Sequence, residues 1–239
     1  DGSVLFQHRT AGGGAQERFG LGAYKALQHF QYDKLCQDWL EELRGHLPFY
    51  EALSGRYPER VSPHRRNGYA ALFNAAEERG LKRIVETGTL RQKDNWHGDG
   101  GFTWWAGAYA AKVGGAVDTV DIAPEALAVA KEVCAEWGEY IRYRAADSVE
   151  YLTANTEPVD VLFLDSVDYD ADSCFKAQDH NWREVSAALP HLHEKSLIAF
   201  DDATIAGGGK GGVSIPRLEQ TGWTVIHKDY VTVMARKAT

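Results

Sequence analysis

From Gly80 onward the chain alternates short apolar, β-branched runs with stretches of helical periodicity. The runs at 83–86, 117–121, 141–144, 159–164, 196–200, 223–226 and 230–234 predict seven strands. Helical patterns at 102–113, 124–137, 148–155 and 182–193 separate the first five. A helix between successive strands carries the chain back across the sheet, so these strands run parallel. Only His227, Lys228 and Asp229 link the last two runs, too few residues for a crossover. That pair is predicted as an antiparallel hairpin with one reversed strand. The fold class is therefore α/β, a doubly wound and mostly parallel sheet.

Before Gly80 the pattern differs. Residues 1–20 are polar, Gly-rich and aperiodic, as expected of an arm. From Tyr24 to Glu51 aromatic and aliphatic residues recur at helical spacing, and a second helix is predicted over 68–79, closed by Gly80. The chain thus divides into an arm with an N-terminal helical cap, 1–80, and a main domain, 81–239. The aromatic helices of the cap read as a second wall of the ligand pocket, or, for Tyr24, Phe30 and Trp39, as core packing or a homodimer interface.

Composition narrows the function. The formal charge of −8 argues against nucleic acid as a partner, because such binding draws its affinity from clustered Lys and Arg. Arg65 and Arg66, with His64 beside them, form the longest basic cluster and read as a solvated face. No run of 18 apolar residues exists to cross a bilayer and the N-terminus lacks a secretory layout, so no membrane partner and a cytoplasmic location are expected. Cys36, Cys134 and Cys174 are odd in number and widely spaced, the pattern of reduced thiols.

An open parallel sheet binds its ligand across the carboxyl ends of its strands. The residues there form an interpretable series. The first run ends in Glu86-Thr87-Gly88-Thr89, where a glycine lets backbone approach a ligand and an acid can accept from an ammonium group. The second ends at Asp121, placed to take both hydroxyls of a ribose, followed by Ile122 and by Pro124 at a helix start. The third leads to Ala146-Asp147-Ser148, where Asp147 can accept from an adenine amino group and Ser148 caps the next helix.

These three segments together resemble the motifs of the class I S-adenosylmethionine (SAM) dependent methyltransferases, over about Arg83 to Arg236. The resemblance implies a Rossmann-like sheet and SAM as cosubstrate. It implies contacts to the methionine part near Glu86, Thr87 and Gly88, to ribose at Asp121, and to adenine at Asp147 and Ser148 with Ile122 packing on the ring. The stretch 90–101 is longer than the family's compact turn, and reads as a lid or acceptor-binding loop or as an idle insertion. The dinucleotide-binding fold is the nearest rival, but its GxGxxG spacing is absent after Glu86.

The fourth run ends in Leu164-Asp165 and the fifth in Phe200-Asp201-Asp202. Three carboxylates converging on one crevice repel unless a cation compensates them, and a magnesium-like ion with oxygen ligands would do so. Asp165, Asp201 and Asp202 are the candidate metal ligands, similar to the arrangement in cation-dependent O-methyltransferases acting on catechols and sugars. Those relatives often place a basic side chain three residues after the strand-four acid. Here that position is Asp168, which joins Asp165 as a candidate catalytic residue, with His180 and His227 in reserve. The segment 207–212 reads as a flexible flap, with Lys210 a contact for an anionic group, or as a plain linker. The expected function is methylation of a small phenolic or polyhydroxylated acceptor with divalent-cation assistance. The rival readings are a metal-free or N-methylating enzyme and a non-catalytic binding module.

Overall fold

A computed structural model describes Lys34 and residues 47–237, of which those from Pro48 onward form one compact unit. The expectations for the arm, for the helices over 24–46, and for Cys36, Tyr24, Phe30 and Trp39 lie outside the described residues. The elements in chain order are α1 (Phe49–Arg56), α2 (Arg66–Glu78), β1 (Arg83–Thr87), α3 (Phe102–Val113), β2 (Ala116–Asp121), α4 (Pro124–Val133) and β3 (Ile141–Ala145). There follow α5 (Ser148–Ala154), β4 (Val159–Leu164), α6 (Cys174–Ala188), β5 (Leu192–Phe200), α7 (Ser214–Glu219), β6 (Trp223–His227) and β7 (Thr232–Arg236). No helix among the described residues is long and apolar enough to cross a membrane.

The seven strands form one sheet in the order β3-β2-β1-β4-β5-β7-β6. Strands β1 to β5 pair in parallel, and β7 inserts antiparallel between β5 and β6. The strand order turns back between β1 and β4, which opens a crevice beyond their carboxyl ends. The expected doubly wound sheet with one reversed strand is therefore present.

Each face of the sheet carries its own apolar layer. One holds α1, α2 and α3 residues, among them Phe49, Tyr69, Phe73, Phe102 and Trp105, against Ile84, Val161 and Phe163. The other gathers Val85, Leu152, Leu162, Val185, Ile198 and Trp223. Helix α3 is apolar around most of its circumference, which suits a helix buried between sheet and neighbouring helices. Phe102 stacks on Phe163 with centroids 3.6 Å apart, and Tyr69 meets Phe163 edge-on at 5.9 Å.

Two departures from the sequence pattern have a clear local reason. The helix predicted over 182–193 spans Cys174–Ala188, because Asp170 accepts a hydrogen bond from the Asp172 amide and starts the chain turning early. It stops because Leu189–His191, carrying Pro190, forms a short 3-10 turn. His193 is consequently a β5 residue, bonded to Asp160 at 2.8 Å. The segment after β5 is the second case. Residues 207–212, expected as a flap or a plain linker, end in a short 3-10 turn over Lys210–Gly212 ahead of α7, and the Gln178 side chain donates to the carbonyls of Gly207 and Gly209, both at 3.0 Å.

The Phe163 ring supports the sheet directly beneath its ligand-binding end. Phe163→Ala should cost roughly 3–5 kcal/mol of unfolding free energy, read as a lower urea midpoint; a loss under about 1 kcal/mol would show that the aromatic layer closes over the gap.

Candidate functional site

Two adjoining cavities lie beyond the carboxyl ends of β1, β2 and β4, sharing Gly88, Asp121 and Ser166 in their walls. The larger, about 320 Å³, reaches from Gly88 to Asp165, Asp202, Lys210 and Tyr230. The smaller, about 150 Å³, is bounded by Ile122, Asp147, Ser148 and His180. A wider depression of about 780 Å³ sits at the other end of the sheet, around Arg79, His193 and Lys195. It lies at the end opposite to the one where parallel sheets bind their ligands.

The backbone shapes the junction of the two cavities. Gly88 has φ of 80°, and a Cβ there would stand 2.5 Å from the Asp165 carbonyl oxygen, so only glycine lets β1 and β4 approach so closely. Asp121 is held by two backbone amides, Ala123 at 2.8 Å and Thr89 at 3.2 Å, and its carboxylate borders both cavities. At the smaller cavity Ile122 is 74% exposed, an apolar surface suited to an aromatic ring. Asp147, rather than Ser148, caps α5 by accepting from the Glu150 amide at 3.0 Å. Its extended backbone aims the carboxylate along the helix axis, whereas Ser148 is already inside the first turn and faces His180 at 3.1 Å. His180 in turn lies 3.4 Å from the fully buried Glu184, whose charge raises the imidazole pKa.

Glu86 stands apart from both cavities. It is buried at the end of β1, where the Thr103 hydroxyl bonds its carboxylate oxygens at 3.0 and 2.9 Å. Burial pushes its pKa up to about 8, with the charges of Asp165 and Asp121 adding to the rise. Thr87, also fully buried, carries the strand but borders neither cavity.

Asp165, Asp201 and Asp202 do converge, with one oxygen from each within 4.8 Å of the others. The cations around them were not legible in the sequence. Arg65, from the cluster expected to face solvent, is buried and grips Asp201 through Nε at 2.9 and 3.0 Å and Nη2 at 2.7 Å. Lys210 is 3% exposed; its ammonium pairs with Asp165 Oδ1 and lies 3.1 Å from Asp202 Oδ2. Asp201 is wholly buried, and burial together with the neighbouring Asp165 raises its pKa while Arg65 holds it down. Asp202 adopts a left-handed φ of 51°, the kind of backbone strain that collects at functional sites. The trio fits a divalent ion in spacing, yet its lone pairs already serve two protein cations.

Asp168 is exposed and paired with Arg91 at 3.0 Å, which lowers its pKa and makes it a poor base. His227 lies on β6 at the far edge of the sheet, outside both cavities. The loop 90–101 is tied down: Asp99 accepts from the amides of Arg91 and Gln92, Trp96 is buried, and the His97 carbonyl accepts from Arg65. Cys134 is buried, which pushes its thiol pKa up and leaves it inert.

Known proteins share parts of this arrangement. A family model described as a methyltransferase domain matches residues 96–203, from the loop before α3 to just beyond the acids after β5. The SAH-bound methyltransferase PaMTH1 of Podospora anserina aligns with TM-score 0.54 and 16% identity, over 87% of this chain and 96% of its own. A caffeoyl-CoA O-methyltransferase-like protein of Staphylococcus aureus aligns with TM-score 0.53 and 16% identity, over 85% and 100%. Identities this low are a likeness of fold. No curated protein matches the sequence. Sheet order and these likenesses give the chain the Rossmann-like fold of these methyltransferases, and residues 96–203 are similar to a methyltransferase domain.

Two outcomes check this geometry. The buried Glu86 carboxyl has a folded pKa above its ordinary 4.5, so the folded state holds the proton more tightly. Its stabilising contribution is complete below pH 4.5 and disappears as pH rises through about 8, at about 1.4 kcal/mol per tenfold difference in proton affinity. Glu86→Gln should flatten the decline of the urea midpoint across that window; an unchanged slope would assign it to other groups. Gly88→Ala should weaken S-adenosylhomocysteine binding at least tenfold in calorimetry, because the added methyl meets the Asp165 carbonyl.

Proposed function

We propose that this chain transfers the methyl group of SAM to an oxygen of a small phenolic or polyhydroxylated acceptor. The observation that carries the reading is the pair of joined cavities: one largely apolar beside Ile122, the other lined with charge at Asp165, Asp202 and Lys210. Such a pair suits a nucleoside at one end and a polar acceptor at the other. The residues present fit SAM in chemistry. Asp121 would accept from the ribose hydroxyls, Ile122 and the Asp147-Ser148 turn would flank the adenine, and Gly88 would let the methionine part lie along the backbone. Bound there, the sulfonium supplies the methyl group.

The protein's part is alignment and charge. Holding an acceptor oxygen in line supplies much of the acceleration of a displacement reaction. The three carboxylates with Arg65 and Lys210 sum to one negative charge, which faces the cationic cosubstrate favourably. Asp165 borders the larger cavity and is fixed there by Lys210 through Oδ1, so its carboxylate would accept a hydrogen bond from the acceptor hydroxyl and orient it. A fixed −8 charge and acidic cavity walls favour a neutral or weakly acidic acceptor over a polyanion.

Divalent-cation assistance is a second reading, favoured by the spacing of Asp165, Asp201 and Asp202. Its ion would have to compete with Arg65 and Lys210 for the same oxygens. The tied loop 90–101 supplies Arg91, Gly98 and Asp99 to the cavity wall, which supports its reading as an acceptor-binding loop.

Asp121→Ala should weaken S-adenosylhomocysteine binding by about 10- to 100-fold, the loss of hydrogen bonds to a charged acceptor. A screen of phenols, sugar-like polyols, amines and RNA with methyl-labelled SAM tests the acceptor class. Label found only on amines, or only on RNA, would overturn O-methylation of small molecules.

A further inference from the structure

We propose that Lys210 is a tethered cation standing where a divalent ion would sit, so that the acidic trio works without metal. The inference rests on the methyltransferase reading and deepens it.

The placement is built rather than incidental. Gln178 fixes the turn before Lys210 through the carbonyls of Gly207 and Gly209. Gly209 has φ of 60°, and a Cβ there would run into the Asp202 carbonyl, so the turn packs directly on the β5 terminus. The side chain that emerges is nearly excluded from water and ends between Asp165 and Asp202. A buried ammonium is stable only with such partners. Its four-carbon stem is enclosed with it, so it cannot swing aside cheaply to admit another ion.

Charge reaches the same conclusion. With Arg65 on Asp201 and Lys210 on Asp165 and Asp202, three negative charges meet two positive ones. A divalent ion added to this set would place four positive charges against three negative, beside a sulfonium that brings a fifth. Displacing Lys210 would strand a buried ammonium, and displacing Arg65 would break the three short bonds to Asp201.

The third donor of Lys210 is only weakly engaged. Two of its protons point to carboxylates, while the remaining contact is the Asp165 carbonyl at 3.5 Å. Because Lys210 lines the larger cavity, an acceptor oxygen can take that third proton. A fixed ammonium would then orient the oxygen and favour its deprotonated form, as a bound ion would.

Magnesium chloride titrated into wild type and Lys210→Met, by calorimetry and by thermal unfolding, tests the proposal independently of turnover. Wild type should give no binding heat and show no magnesium-dependent rise in Tm. Lys210→Met, with three carboxylates and one cation left, should gain stoichiometric magnesium binding and a rise in Tm. A folded Lys210→Met that takes up no magnesium overturns the proposal. So does a wild type whose magnesium binding is lost in Asp202→Asn, a comparison that stands even if Lys210→Met fails to fold. S-adenosylhomocysteine titrated into the same wild-type sample separates the two levels: its failure to bind would end the methyltransferase reading, while the magnesium result still judges Lys210.

Discussion

The buried pairing of Arg65 with Asp201 is the contact on which the ligand-binding end of this protein depends. Two strands end side by side in acids, and in a low-dielectric interior three such groups would drive one another's pKa values upward. Arg65 meets Asp201 with three short bonds, and Lys210 joins Asp165 to Asp202. Removing one partner from such a pair is costly, because the group left behind is charged, buried and alone. Arg65 also holds the His97 carbonyl and lies 4.9 Å from the Tyr230 ring. One guanidinium therefore anchors β5, the loop before α3 and the turn before β7.

That arrangement divides labour along the crevice. Near β2 and β3 the walls are backbone, a capped helix start and one exposed isoleucine, which suit a flat nucleoside. Near β4 and β5 the walls are ionised groups fixed by one another, so their positions need little reorganisation when a ligand binds. Preorganised charge of this kind is worth more inside a protein than in water. The loop 90–101 closes one side without being slack, since Asp99 and Trp96 pin it from within.

Much of the fold was legible because it follows from local periodicity. Strands such as Val159–Leu164 and helices such as Phe102–Val113 coincide with their hydrophobic pattern. Where the pattern misled, short-range chemistry was stronger: Asp170 turned the chain ahead of α6, and Pro190 ended that helix before the histidines. Asp121, Ile122, Asp147 and Ser148 were found as cavity residues because strand ends in a parallel sheet share one edge, and Gly88 by the same rule. Glu86 occupies such a strand end as well, yet its side chain turns inward to Thr103, a choice made by packing rather than by position.

By itself the sequence determined the layered α/β architecture, the reversed final strand and the set of acids gathered at one rim, since spacing and the geometry of parallel strands suffice for each. Only the tertiary structure decided how those acids are neutralised. Arg65 lies 136 positions from Asp201 and Lys210 lies 45 from Asp165, and no periodicity links residues so far apart. A basic residue on a polar stretch carries the same local signature whether it ends in water or folds back into a core. The partner that awaits it belongs to another element, and is met only when the whole sheet has closed.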